Sequence, residues 1–95
     1  NDGFRSIFSF VRYSKDRKKN LLFVCNFTPV ERPDYCVGVP KRKQYKLVLN
    51  SDDVKYGGAG EKRPEIYKAV SKECDGKKYS FAYPLPAYGV AVFEF

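Results

Sequence analysis

Residues 6–27 read SIFSFVRYSKDRKKNLLFVCNF, in which two apolar segments flank a short polar one. β-branched and aromatic residues dominate both apolar segments, as is typical of strands, and the charged, turn-prone residues 14–20 between them predict a hairpin. In strand 6–13, Phe8, Phe10 and Arg12 share one face because side chains alternate along a strand. Strand 21–27 is apolar on both faces, which predicts a central strand that is covered on each side.

Strand patterns continue to the end of the chain, at 35–39 between two prolines, 45–50, 65–73, 79–83 and 89–95. Segment 65–73 also fits a short helical face, but its neighbours favour a strand, with Ile66, Lys68 and Val70 on one side. Asp75-Gly76 is a strong turn dipeptide, and the prolines at 84 and 86 predict an extended kink after strand 79–83. About seven or eight short strands predict one all-β domain, an antiparallel sandwich or barrel.

Histidine is absent and the chain has 3 cysteines. The lack of histidine excludes Ser-His-Asp and Cys-His nucleophile systems and ordinary zinc catalytic sites. The chain alone is therefore a poor candidate for an enzyme, and no metal or cofactor is expected. Cys25, Cys36 and Cys74 are odd in number and form no CxxC motif, and two of them lie in apolar runs. We expect buried, reduced thiols in a cytoplasmic protein, with one disulfide and a spare thiol as the less favoured alternative.

A formal net charge of +7 raises the question of a polyanion partner. The basic residues cluster at 15–19, 41–43, 62–63 and 77–78, each between predicted strands, so the simpler interpretation is a solvated rim. The alternative is a small basic β-barrel that binds single-stranded nucleic acid. No apolar run is long enough to cross a bilayer, and a strand-like segment follows Gly3 at once without a signal peptide. That abrupt start suggests a piece of a longer protein.

Residues 47–60, LVLNSDDVKYGGAG, are the most promising place for a site. Asp52 and Asp53 could form a glycosidase-type pair, but neighbouring carboxylates on an exposed chain usually point apart. Asn50, Ser51 and Asp52 are more simply turn residues whose side chains bond to the backbone. The glycines after Tyr56 lack the Lys-Ser/Thr ending of a phosphate loop. Exposed tyrosines such as Tyr56 or Tyr67 could stack on a sugar or a base.

Taken in order, several motifs resemble those of the C-terminal β-domain of 1,4-α-glucan branching enzymes, in the α-amylase superfamily. The stretches that carry the likeness are RSIFSFVRY (5–13), LLFVCNFTPVERPDYCVGVP (21–40), YKLVLNSDDVKYGGAG (45–60) and YPLPAYGVAVF (83–93). Within them, NFTPV at 26–30, LNSD at 49–52 and YGGAG at 56–60 stand in the family's order and approximate spacing. The likeness extends over nearly the whole chain.

The resemblance implies a Greek-key β-sandwich that has no catalytic residues of its own. The parent enzyme would transfer α-1,4-glucan segments to 6-hydroxyl groups, using acidic residues in a (β/α)₈ barrel that this chain lacks. The expected partners are that barrel and, as a candidate, α-glucan, with nucleic acid and membrane not expected. Asp52 as hydrogen-bond acceptor and Tyr56 as stacking ring are the candidate glucan or interdomain contacts. The equivalent domain of another superfamily member, such as a debranching hydrolase, is a further alternative.

Overall fold

The computed structural model describes residues 7–16, 18–51 and 63–95. Within these ranges the chain forms seven strands and no helix. The strands are β1 Ile7–Arg12, β2 Leu21–Asn26, β3 Arg32–Val39, β4 Gln44–Asn50, β5 Ile66–Lys68, β6 Tyr79–Leu85 and β7 Val90–Glu94. A helix long and apolar enough to cross a membrane is likewise absent from these ranges.

The strands form two sheets whose neighbouring strands are all antiparallel. The larger has five strands in the order β1-β2-β7-β4-β5, and the smaller pairs β3 with β6. The inner faces meet through aromatic side chains: the Phe93 ring on β7 lies 5.1 Å, centroid to centroid, from both Phe81 and Tyr83 on β6. Tyr45, Tyr83 and Phe93 are fully buried in this core. The predicted all-β antiparallel fold is therefore confirmed.

Consecutive strands run in alternating directions, so the connections fall into two groups at opposite ends of the sandwich. At one end, the connections β1–β2, β3–β4 and β5–β6 lie close together. The Ala69 amide donates to the Lys43 carbonyl oxygen at 3.0 Å, and Tyr13, Pro40 and Lys77 line one groove. At the other end, the side chain of Asn26, the last residue of β2, donates at 3.0 Å to the carbonyl oxygen of Pro86 in the β6–β7 connection.

In the sequence of strand 45–50, Tyr45, Leu47 and Leu49 alternate with Lys46, Val48 and Asn50, which predicts a half-buried strand. That alternation breaks at a β-bulge. Leu47 is opposite Phe93, and the next pair is Leu49 opposite Val92, so Val48 is the extra residue. A bulge shifts the side chains that follow it to the other face of the strand. Leu49 is consequently 37% exposed instead of sharing the buried face with Tyr45.

Segment 65–73 is a strand, as predicted, but only over Ile66–Lys68. Beyond it, Val70 forms one isolated bridge with Ser80. Ile66, Lys68 and Val70 share one side, as expected, and that side is exposed. Tyr67 and Ala69, on the other side, point into the core. The pairing of Tyr45 with Tyr67 explains this, since it brings Tyr67 onto the buried face of β4.

The two proline segments lie within strands rather than only at their ends. β3 begins at Arg32 and includes Pro33, and β6 continues through Pro84 to Leu85. Both prolines fall where the β3–β6 register is irregular, between the pairs Arg32–Leu85 and Tyr35–Tyr83. An irregular stretch tolerates the missing amide because no regular ladder hydrogen bond is required there.

Candidate functional site

The outer face of the five-stranded sheet has a row of phenylalanine side chains, which we call the aromatic ladder: Phe8, Phe10, Phe23 and Phe27. Phe10 stacks on Phe23 at 4.8 Å between ring centroids, and Phe8 meets Phe27 edge to face at 5.5 Å. Phe8 and Phe10 are themselves 6.3 Å apart. Aromatic pairs favour these offset and edge-to-face arrangements, so the four rings form one continuous surface.

The register of the hairpin explains why the ladder faces outward. Phe10 is directly opposite Phe23 and Phe8 is opposite Cys25. Their neighbours Ile7, Leu22 and Val24 lie on the other face, in the core. Since side chains alternate along a strand, the ladder rings must lie outside the sandwich. β2 was expected to be covered on both sides, but in the described ranges its outer face is covered only by the sheet's own rings.

The ladder is unusually exposed for aromatic residues. The exposed fractions are 38% for Phe8, 43% for Phe10 and 55% for Phe27, and Leu49 continues the apolar surface across the sheet at 37%. Phenyl rings have no hydrogen-bonding group, so this surface can bind a partner only through apolar contact. Contiguous exposed apolar surface of this kind typically marks a protein–protein or interdomain contact.

The NFTPV motif holds the far end of the ladder in place through Asn26. Its Nδ2 donates to the carbonyl oxygens of Val30 at 2.9 Å and Pro86 at 3.0 Å. Its Oδ1 accepts from the Thr28 amide at 2.9 Å and the Thr28 hydroxyl at 2.6 Å. Asn26 is fully buried, and every polar atom of its side chain is satisfied. It thus joins residues 27–30, which carry Phe27, to the connection before β7.

That second connection presents Tyr88, which is 67% exposed. Its amide donates to the Thr28 carbonyl oxygen at 3.0 Å, and its φ is 50°, in the left-handed region. A non-glycine residue in that region carries strain that the surrounding contacts must offset, and such residues concentrate at functional sites. Tyr88 therefore presents an exposed ring with a polar tip on a connection whose backbone is bonded to Thr28, the residue after Phe27.

The predicted contact residues Asp52 and Tyr56 lie outside the described residues. The described chain on both sides of them is anchored. The Ser51 hydroxyl accepts from the Val90 amide at 2.8 Å, and the Arg63 side chain donates from Nε to the Pro84 carbonyl oxygen at 3.0 Å. Ser51 therefore bonds across to the first residue of β7.

The hypothesis that Tyr67 is an exposed ring that could stack on a sugar or a base is wrong. It is only 9% exposed and packs edge to face on Tyr83 and Phe93, at 5.3 and 5.6 Å between centroids. Burial raises its pKa, and the nearby Arg63 guanidinium partly offsets that. The aromatic ladder was not predicted from the sequence. The pattern that could have indicated it is that Phe8 and Phe10 share one face of a strand next to β2, which is apolar on both faces.

The basic residues are less dispersed than the loop-by-loop pattern suggests. Every second connection lies at the same end of the sandwich, so that end carries most of the lysines and arginines in the described ranges. We call it the basic end. Its exposed side chains are Lys15, Lys18, Lys19, Lys41, Arg42, Lys43, Lys72, Lys77 and Lys78, with Asp16, Glu73 and Asp75 among them. The basic end is separate from the loops that carry Phe27 and Tyr88.

All three cysteines are free, as expected, but they differ in burial. Cys25 is buried on β2, and burial raises its pKa. Cys36 and Cys74 are only half-buried, so the expectation of buried thiols is wrong for them. In the described ranges, no group of three histidine, cysteine or carboxylate side chains could hold a metal ion.

The fold and the ladder together define an all-β antiparallel domain whose most prominent exposed feature is an apolar contact surface. The chain belongs to the family described as the α-amylase C-terminal all-β domain, whose profile it matches over residues 1–95. The predicted resemblance is confirmed by this match.

Similar proteins include several that are named 1,4-alpha-glucan branching enzyme GlgB. The protein from Butyrivibrio fibrisolvens is 45% identical over 95 residues, covering 100% of this chain and 15% of the relative. The one from Halothermothrix orenii is 37% identical over 94 residues, covering 99% of this chain and 15% of the relative. The one from Francisella tularensis subsp. novicida is 54% identical over 57 residues, covering 60% of this chain and 9% of the relative. The chain thus spans only a small part of these relatives' length.

Proposed function

We propose that residues 1–95 are the non-catalytic C-terminal accessory domain of a 1,4-α-glucan branching enzyme, which acts in glycogen biosynthesis. The parent protein transfers α-1,4-glucan segments to form α-1,6 branches, in a (β/α)₈ barrel elsewhere in its chain. This domain docks onto that barrel through the aromatic ladder. The observation that carries the proposal is the ladder itself, exposed on a domain that matches 15% of a branching enzyme.

The ladder suits a protein surface better than a sugar. Sugar-binding rings usually combine an apolar face with a polar tip or nearby hydrogen-bonding groups, and phenylalanine has no such tip. The ladder also extends across two strands and the exit of the hairpin as one continuous apolar surface. Such a surface matches the apolar centre of an interdomain contact. Because most of each relative's length lies outside the matched region, the partner surface is available within the same protein.

Free thiols support a cytoplasmic location. Each of the three cysteines is unpaired with another cysteine, as is usual in reducing compartments. The absence of histidine supports a domain that leaves catalysis to the barrel.

The docking proposal is tested in the longer protein with the double substitution Phe8→Ser/Phe10→Ser. We expect a lower thermal midpoint and faster release of the domain by limited proteolysis, because serine replaces apolar contact area at the interface. Branching activity should fall at temperatures where the wild-type protein is still stable. The matched control is Val70→Ser, which changes an apolar side chain of similar exposure, 48%, away from the ladder.

The same substitutions in the isolated chain separate docking from folding. There, denaturant unfolding should show that the double variant remains folded. If the longer protein with the double substitution had the wild-type thermal midpoint and proteolysis rate, the ladder would not be the docking surface.

A glucan contact at Asp52 and Tyr56 is the finer part of this proposal. Its support is indirect: the described residues on either side of the motif, Ser51 and Arg63, are bonded to β7 and β6, next to the connection that carries Tyr88. Native gels containing glycogen test it. Retardation of the chain that survives moderate salt, and is lost in Asp52→Ala/Tyr56→Ala, is the expected result. Equal mobility with and without glycogen would remove sugar binding and leave the docking role standing.

A further inference from the structure

Two cysteines far apart in the sequence meet on the outer side of the smaller sheet. The Cys74 thiol donates to the carbonyl oxygen of Cys36 at 3.1 Å, which places the Cys74 sulfur directly beside Cys36. Cys36 lies on β3, and Cys74 opens the turn that leads into β6. Both are half-buried and neither is oxidised. The Cys74 thiol thus lies against Cys36, and neither residue is fully buried.

Two local features bring these thiols together. Cys74 and Lys77 exchange both backbone hydrogen bonds, each 2.9 Å long, across a tight turn whose central residues are Asp75 (φ 50°) and Gly76 (φ 76°). Positive φ at both positions is the type I′ geometry that Asp-Gly favours. The turn packs against β3 at Gly38, where a Cβ would collide with the Cys74 carbonyl oxygen. The close approach requires glycine there.

We propose that Cys36 and Cys74 are a disulfide-forming site, which is oxidised by thiol–disulfide exchange with a small-molecule disulfide. This role is independent of the proposed docking function, since the site does not include the ladder.

The exchange proceeds in two steps that balance. The Cys36 thiolate attacks one sulfur of the small disulfide, forming a mixed disulfide and releasing one thiolate. The Cys74 thiolate then attacks the Cys36 sulfur, closing the protein disulfide and releasing the second thiolate. The two protons lost by the cysteines protonate the two released thiolates. The protein is oxidised by two electrons and the small disulfide is reduced to two thiols.

The environment of Cys74 slows the second step at neutral pH. Burial raises the pKa of Cys74, with Asp75 adding to the shift and Lys72 opposing it. The thiolate is the attacking species. The rate of closure should therefore rise with pH throughout the neutral and mildly alkaline range.

Oxidised glutathione is the probe for the experiment, applied to the chain at pH 8 and followed by intact mass and peptide mapping. We expect a mass lower by two hydrogen atoms, a linked Cys36–Cys74 peptide and one remaining titratable thiol, Cys25. The thermal midpoint should rise by several degrees, on the order of 5 °C, because the bond restricts the unfolded chain. Dithiothreitol should reverse both changes.

Variants make the assignment specific. Cys36→Ser and Cys74→Ser should each abolish the loss of two hydrogens, whereas Cys25→Ser, the matched control, should retain it. Gly38→Ala should lower the yield of the bond, because a methyl group there displaces the turn. Stable glutathione adducts without ring closure, or a bond that includes Cys25, would overturn the proposal.

Discussion

The buried side chain of Asn26 connects two segments that are far apart in the chain, residues 27–30 and the β6–β7 connection. Replacing it with alanine removes the side-chain donor to the Pro86 carbonyl, one of two donors to the Val30 carbonyl, and the acceptor of the Thr28 amide. We expect Asn26→Ala to lower the free energy of unfolding by about 2–4 kcal/mol, because buried polar groups lose their hydrogen bonds. Urea denaturation monitored by tyrosine fluorescence measures the change.

The matched control for this prediction is Gln44→Ala. Gln44 also has a side-chain amide, but it is exposed at the start of β4, so its loss should cost no more than about 0.5 kcal/mol. Equal stability of the two variants would contradict the role given to Asn26.

Asp16, in the connection between β1 and β2, provides a pH-dependent test. The Lys18 amide donates to its Oδ1 at 3.0 Å and the Ser14 hydroxyl at 2.8 Å, and these bonds hold the pKa of Asp16 below its ordinary value of 3.8. Because its pKa is lowered in the folded state, ionised Asp16 stabilises the fold at pH values above the unfolded-state pKa. That contribution is lost as the pH falls through the folded-state pKa. Titration of the carboxyl carbon by NMR should show the lowered value.

Ser14→Ala is the companion variant for Asp16. Removal of one donor should move the pKa of Asp16 back towards 3.8. A wild-type pKa at or above 3.8 would show that the two hydrogen bonds do not form in solution.

Residue chemistry alone predicts part of this detail. The NFTPV motif was recognised in the sequence, and Asn is a common turn residue. The hydrogen bond from the Asn26 side chain to the Pro86 carbonyl, 60 residues away, was not predictable. Local sequence patterns do not specify which distant carbonyl the folded chain brings near. Asp75-Gly76 is the opposite case, since its turn depends on backbone preferences of the two residues themselves.

At the scale of strands, the aromatic ladder should cause self-association of the isolated chain. Exposed rings on two copies can bury one another, so sedimentation velocity should show a weight-average sedimentation coefficient that increases with protein concentration. Phe8→Ser/Phe10→Ser should remove the increase, while Val70→Ser should keep it. A strictly monomeric wild-type chain at every concentration would contradict this prediction.

Strand identities followed from the sequence because β-branched and aromatic residues alternate with turn signals. The exceptions have a common cause in pairing. Val48 forms a bulge against β7, and Tyr67 turns inward opposite Tyr45. Which residue is opposite which is decided by the neighbouring strand, so a single strand's pattern is insufficient. The ladder was missed for the same reason: its four rings belong to three separate parts of the hairpin and its exit.

At the scale of the whole molecule, alternating strand directions concentrate the positive charge at the basic end. We expect the chain to bind a heparin column and to elute as salt is raised, because counterion release drives binding to polyanions. Lys41→Gln/Arg42→Gln/Lys43→Gln should elute at lower salt.

The control for the basic end is Arg32→Gln, which removes a charge from an exposed position at the start of β3. Its elution should shift by much less than that of the triple variant. A triple variant that elutes with the wild-type chain would show that the basic end is only a solvated rim, as the sequence first suggested. Retention of single-stranded DNA at moderate salt would instead favour the nucleic-acid alternative.

The position of β7 has a consequence for synthesis of the chain on the ribosome. β7 lies between β2 and β4 in the larger sheet, yet it is the last of the seven strands to be made. Until it emerges, the sheet consists of two separate halves, and the inner edges of β2 and β4 both lack a partner. Unpaired edges of this kind promote aggregation. A nascent chain that stops before Val90 would therefore be a substrate for chaperones and proteases rather than a slightly shortened domain.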